Sequence, residues 1–379
     1  MQRLVKSGTK ALLAFVLFVL AGPPAIGQLN GSDPLFLITQ GGQSGYIDQS
    51  GKIIIAPQFG GAWGFYEERT CVQVHGSGSS KYAVIDNTGK FITPAEFSAC
   101  GQFSQGLGAV AFDTDKTRPN CMDCDPFYHW GYVDRSGTVV IEPQFHSAHK
   151  FSEGLAAVQN DDGKWGFIDK TGKTITNMDF DYAGTFSEGL AVVVVHQRYG
   201  YVDHNGKLVI SARFKQAQEF SEGLALVRTR GKFVAPFGMT LGTAADERKE
   251  FEYIDKSGKV RLRLKGEHAS DFSEGLAEFG LVKQDGHLYC GYADKTGKWV
   301  IEPRFGSCDD FSDGLGLVLL DGKWHFIDKN GEIVLSPPYV EAWPFQNGLA
   351  RVLDGPTPSS AADSGYIDRT GKVIWKPQH

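Results

Sequence analysis

Apolar residues in this chain come in short runs separated by polar or glycine-containing breaks. Leu155 to Gln159, Trp165 to Asp169 and Lys173 to Thr176 are three such runs in succession. The breaks between them are Asn160-Asp161-Asp162-Gly163 and Lys170-Thr171-Gly172. Runs of this length, bounded by Gly, Asn and Asp, predict β-strands joined by tight turns, here named a, b and c. No stretch carries a helical period of useful length; Ala244 to Lys249 is the one helix-like piece.

The three-run pattern recurs. Aromatic-Ile/Val-Asp-x-x-Gly reads Tyr46-Ile47-Asp48-Gln49-Ser50-Gly51 near the start and Tyr366-Ile367-Asp368-Arg369-Thr370-Gly371 near the end. Its Asp stands at 48, 86, 134, 169, 203, 255, 294, 328 and 368, nine copies with a shortest spacing of 34 residues. Between them falls Phe-Ser-Glu-Gly-Leu-Ala, with its Phe at 65, 103, 151, 186, 220, 272, 311 and 345; the copy at Phe65 has drifted furthest. In D-x-x-G the Asp side chain accepts from the backbone two residues on, and the Gly takes positive φ to close the hairpin. Pro57, Pro94, Pro143, Pro303, Pro337 and Pro377 follow strand c. With no N–H to extend a ladder, they are expected to end it. The connector to the next unit carries an aromatic, as at Phe59, Phe145 or Phe214.

A lone three-stranded unit cannot bury its apolar face, so neighbours must stack into a continuous core. The expected fold is all-β: nine three-stranded hairpin units in tandem over about residues 35–376. The first unit has its own strand a (Leu35 to Thr39) and the last its own strand c (Lys372 to Trp375). Neither end lacks a strand that the other must supply. Propellers are expected to have four to eight four-stranded blades. Both points favour an open, curved or superhelical solenoid-like array, with a closed β-propeller as the alternative.

The units resemble the WG repeat family, also called KWG repeats, common in bacterial proteins. The matching residues are Lys164-Trp165-Gly166-Phe167-Ile168-Asp169, Lys323-Trp324-His325-Phe326-Ile327-Asp328 and His129-Trp130-Gly131-Tyr132-Val133-Asp134, together with the Phe-Ser-Glu-Gly-Leu-Ala copies. Tyr82, Tyr199 and Cys290 stand in place of the Trp in three units, and the strand after Phe251 has no Trp-Gly. The resemblance implies a β-repeat scaffold without an assigned catalytic set.

Arg3, Lys6 and Lys10, then the apolar run Ala11 to Ala21, then Ala25-Ile26-Gly27, have the layout of a secretory signal cleaved after Gly27. That leaves residues 28–379 as the mature array, extracytoplasmic and without a membrane span; an uncleaved anchor reaching Ile26 is the alternative. The net charge of −6 with no basic patch argues against nucleic acid. Six cysteines in an exported chain suggest disulfides. Pairing of sequence neighbours gives Cys71–Cys100, Cys121–Cys124 and Cys290–Cys308, although Cys121-Met122-Asp123-Cys124 is also half of a zinc motif.

No GxSxG, HExxH, phosphate loop or calcium loop occurs, and no catalytic residue, metal or cofactor is expected. His146 and His149 would fall on opposite faces of a strand. Glu153, Glu188, Glu222, Glu274 and Asp313 of the Ser-Glu-Gly positions would line up along one edge. Solvent, a bound cation or turn lysines such as Lys173, Lys207, Lys259 and Lys298 would offset their repulsion.

Long units differ from short ones mainly in the a–b loop: Asp113 to Tyr128, Val234 to Glu250 and Asp354 to Ser364. Such loops project from one face, which is often the binding face. Arg118, Phe127, Tyr128, Phe237 and Met239 are the candidate contacts; the alternative is neutral drift of surface loops. The expected function is a scaffold binding protein or a cell-surface polymer. The alternatives are a hydrolase or lyase acting on such a polymer, which needs two carboxylates roughly 5–10 Å apart, or an inert spacer.

Overall fold

The computed structural model describes residues 34–74, 81–113, 128–230, 235–236, 250–353 and 364–377. Their regular elements are all β-strands, in nine antiparallel sheets, one per repeat unit. Ala244 to Lys249 and the segment 1–27 lie outside the described residues. Blade 5 shows the plan: a leading strand Tyr182–Ser187, strand a Leu190–Val195, strand b Arg198–Val202 and strand c Leu208–Phe214, paired in that order.

In blades 2 and 4 strand c is reduced to isolated bridges and the first sheet has a, b and c alone, but eight of the nine sheets have a leading strand that the sequence pattern does not predict. The connector supplies it, and in six blades it is only two residues long, as at Gln216–Ala217 and His268–Ala269. Strands a and b are buried almost throughout, whereas c alternates between exposed and buried residues. Strand c is therefore the outer edge, and the leading strand is the inner edge, where the sheets converge.

Strand c stops before Pro337 and Pro377, as expected, but in other blades it runs through its proline: Ile53–Phe59 contains Pro57 and Val139–Phe145 contains Pro143. An outer edge tolerates a missing donor, and the register shifts beside each of these prolines. That irregularity explains the Gly of the Trp-Gly motif. A Cβ at Gly131 would lie 2.4 Å from Ile141 O and 2.8 Å from Pro143 N. Only glycine lets the irregular strand c cross so closely.

The core is a series of layers between successive blades. Tyr201 and Phe214 of blade 5 pack with Phe220, Val227 and Ile254 of blade 6. The motif aromatic of each unit meets the Phe of the next Ser-Glu-Gly turn: Tyr132–Phe151 at 4.8 Å, Tyr201–Phe220 at 4.9 Å, Phe326–Phe345 at 4.6 Å. Where that aromatic is Tyr, its hydroxyl donates to a main-chain carbonyl on the inner side of the following blade. Tyr132 reaches His149 O, Tyr201 reaches Gln218 O and Tyr292 reaches Asp309 O, each at 2.7 Å.

The last blade repeats these contacts on the first. Tyr366 Oη donates to Leu37 O at 2.7 Å, its ring lies 5.6 Å from that of Phe36, and Leu349, Tyr366 and Trp375 form one core layer with Phe36, Ile38 and Ile47. The array is a closed nine-bladed β-propeller, not the open solenoid-like array that complete terminal units and blade-number expectations favoured. Neighbouring blades here share no strand. Packing and side-chain hydrogen bonds make every junction, so the ring closes without exchanging one.

Candidate functional site

The ring has two unlike faces. One carries the Ser-Glu-Gly and D-x-x-G turns; the other carries the a–b loops and the blade-to-blade connectors. On the first, every repeated polar residue has a structural task. The Glu and Gly of each Ser-Glu-Gly turn both take positive φ, 53° at Glu222 and 86° at Gly223. This is the two-residue type I′ pattern that suits a twisted hairpin. A non-glycine residue there costs roughly 1–2 kcal/mol.

The contact made by the Glu side chain offsets that cost. Glu222 accepts the Gly275 N–H of the next blade's turn at 3.0 Å, and Lys295 of that blade reaches the same carboxylate at 3.1 Å. Glu188 does the same with Gly223 and Lys256, and Glu274 with Gly314 and Lys329. Glu153 binds Gly189 and His204, and Asp313 binds Gly348. The Ser hydroxyl donates to the next Phe carbonyl, as Ser221 does to Phe272 O at 2.7 Å. At the closing junction Gln49 Nε2 donates to Asn347 O at 3.1 Å.

The row of acids is therefore offset by the neighbour's amide and by the cation directly after the motif Asp. The expected Lys173, Lys207, Lys259 and Lys298 instead give backbone N–H groups to that Asp. The D-x-x-G aspartates are turn residues, as their place in the motif predicts. The Ser257 hydroxyl, the Lys259 amide, the Arg261 guanidinium and the Ser257 amide hold the Asp255 carboxyl down to about 2.

The opposite face holds an open cleft of about 440 Å³ between blades 4 and 5. His146, Ser147, Gln159, Trp165, Asp181, Tyr182 and Pro236 line it. The motif residue Trp165, only 4% exposed, forms the floor, 5.5 Å from the Tyr182 ring and 4.7 Å from that of His149. Burial pushes the His149 imidazole down to about 4, so it is neutral at pH 7. Lys164 binds Asp181 at 2.6 Å, and this contact holds the carboxyl below its usual range. Pro236 comes from the long a–b loop of blade 6, so at least one insertion borders the cleft.

Of the five predicted contact residues, Tyr128 opens strand b of blade 3 and is half-buried. Arg118, Phe127, Phe237 and Met239 lie outside the described residues. His146 lines the cleft and His149 lies in the aromatic layer beneath it; neither belongs to a metal cluster among the described residues. Sequence reasoning missed the cleft because its residues come from two units and a third unit's loop.

Cys71–Cys100 and Cys290–Cys308 are disulfides, as neighbour pairing predicts, and each joins strand a or b of one blade to the inner strand of the next. Cys121 and Cys124 lie outside the described residues. Disulfides point to an oxidising compartment. No helix among the described residues is long and apolar enough to cross a membrane.

A closed ring whose repeated polar residues hold blade to blade, with irregular loops on the other face, defines the class: a disulfide-stapled β-propeller of the repeat-scaffold kind. The chain belongs to the WG containing repeat family, whose pattern matches residues 45–76, 82–113, 130–165, 165–197, 199–233, 291–324 and 326–355, more than half of its length. No curated protein matches it. Among solved structures it is similar to BamB from Moraxella catarrhalis, at 10% identity and TM-score 0.39, over 84% of this chain and 93% of that one. It is similar also to the dihydro-heme d1 dehydrogenase NirN, at 12% identity and TM-score 0.42, over 84% and 76%. A third is the WD40 domain of Toxoplasma gondii coronin, at 11% identity and TM-score 0.35, over 69% and 75%. The propeller assignment rests on the blade order and closing contacts, not on these likenesses.

Proposed function

We propose that this chain is an exported, non-catalytic scaffold that binds protein or a cell-surface polymer through its a–b face. One observation carries the reading: the turn face spends its recurring polar groups on the ring itself, so the a–b face is where the units differ from one another. The strand ends that flank the unequal loops and the cleft over Trp165 and Tyr182 are on that face. Export after Gly27 follows from the leading segment and agrees with two disulfides.

The test is a pull-down with residues 28–379 against envelope proteins and purified wall polymers, beside two altered baits. One has the three long a–b loops trimmed; the other carries Ser147→Arg to fill the cleft. Retention by the intact bait and loss on trimming supports the reading. Equal retention by all three baits contradicts it. Cleavage of such a polymer is the second reading, favoured by a group of acids outside the repeat turns in blades 6 to 8. New chain ends produced by the intact protein and not by Asp310→Asn would establish it.

A further inference from the structure

The residue just before the Phe of the Ser-Glu-Gly motif lies on the inner segment of its blade. Around most of the ring it is uncharged or basic: Gly64, Gln102, Lys150, Thr185 and Pro344. In three consecutive blades it is an acid, namely Glu219, Asp271 and Asp310. Asp309 and Glu278 join them, and the fields of these carboxylates reach one another: Asp310 and Glu219 act on Asp271, and Glu278 and Asp310 act on Asp309.

Counter-charge is scarce. His268 binds Glu278, the Thr185 hydroxyl and amide bind Glu219, and the Ser270 hydroxyl reaches Asp310. Among the described residues no ion pair holds Asp271, Asp309 or Asp310. The Leu226 N–H reaches the Asp271 carboxyl, but its Oδ1 is shut off from solvent and has no hydrogen-bond partner. A buried, unpartnered carboxylate oxygen facing like charges is costly. Such an orphan calls for an explanation, a bound ion or water among them. Burial first, and then the neighbouring carboxylates, lift the Asp271 carboxyl to about 7, and Asp309 and Asp310 are raised mainly by burial.

We infer that the inner edges of blades 6, 7 and 8 form a site for an organic cation with separated N–H donors, a polyamine or an arginine side chain, held by Glu219, Asp271 and Asp310. Its shape follows from the spread of the acids. The one group of three potential ligand residues within metal-binding distance among the described residues is Glu278 with Cys290 and Cys308, and both cysteines are in a disulfide. Carboxylates contributed by three blades suit donors several ångström apart better than a compact metal ion. Seating the cation supplies the charge partner that Asp271 lacks and releases the proton that it holds near neutral pH.

The test is calorimetric titration of residues 28–379 with spermidine, with a Gly-Arg-Gly peptide and with calcium chloride, on the unaltered chain, on Asp271→Asn/Asp310→Asn and on Asp321→Asn as a surface control. Either organic probe should bind the unaltered chain and the control alike, and at least tenfold more weakly to the double variant. Spermidine alone binding points to a free polyamine; the peptide binding as well points to a partner's side chain. Thermal melts separate this from folding defects. The double variant should melt higher than the unaltered chain without ligand, because repulsion is relieved, yet gain nothing from the cation. Binding of calcium without either organic probe, equal binding by the double variant, or no binding at all would overturn the site.

Discussion

The two faces of the ring obey different rules. On the turn face each Phe-Ser-Glu-Gly places four residues in four fixed tasks: Phe in the core layer, Ser and Glu bonded to the next blade, Gly turning the chain and donating to the previous Glu. On the a–b face, the turn Asn160 to Gly163 closes a hairpin and makes one contact to the neighbouring blade, Asp161 with His129 at 3.1 Å, while other units carry long insertions. Regularity in this repeat therefore marks the closing of a ring, and irregularity marks the surface free to specialise.

The largest way to break that contrast is in the core layer. Phe220→Ala should cost about 3–5 kcal/mol of stability, read by denaturant unfolding, because the ring is fully buried against Tyr201. The double change Cys290→Ser/Cys308→Ser removes one of the two disulfides among the described residues and should cost about 2–4 kcal/mol. Gly131→Ala forces a Cβ into the strand c backbone and should cost about 1–3 kcal/mol. Glu222→Ala keeps the positive-φ strain but loses the amide and lysine contacts. About 1–2 kcal/mol is expected, since a charged partner is involved yet the carboxylate stays 29% exposed. On the other face, Asp162→Ala should stay within about 0.5 kcal/mol. If it costs as much as Glu222→Ala, the faces do not differ as described.

Acidity gives the most specific effect. The Asp271 carboxyl is raised from 3.8 to about 7, so the folded state binds a proton that the unfolded chain does not between those values. Folding is therefore disfavoured above pH 7, and the penalty fades as pH falls towards 4. Asp271→Asn should melt higher than the unaltered chain at pH 8, with the difference shrinking at pH 5. An equal difference at both values would contradict the assignment.

Much of this was legible in the sequence. The nine units, the strands at Leu155–Gln159 and Trp165–Asp169, the D-x-x-G turns and two disulfides followed from local pattern and turn chemistry. The inner strand was not, because two residues such as Gln216–Ala217 have no periodicity to read. Closure was not, because it depends on Tyr366 meeting Leu37 across the whole chain and no local rule encodes that. The lysine partners were misplaced by three positions, since backbone bonds to the motif Asp occupy the later lysine. The acids at Glu219, Asp271 and Asp310 did leave a signal: aligning the units on the motif Phe puts all three in one column.

The central claim is a closed ring in which blade 9 seats on blade 1. The most direct measurement is the distance between spin labels at Gln49 and Asn347, placed with Gln49→Cys and Asn347→Cys in residues 28–379. The ring predicts one short, narrow distance in the folded protein, lost on unfolding. A long or broad distance in the folded protein would contradict closure and restore an open array.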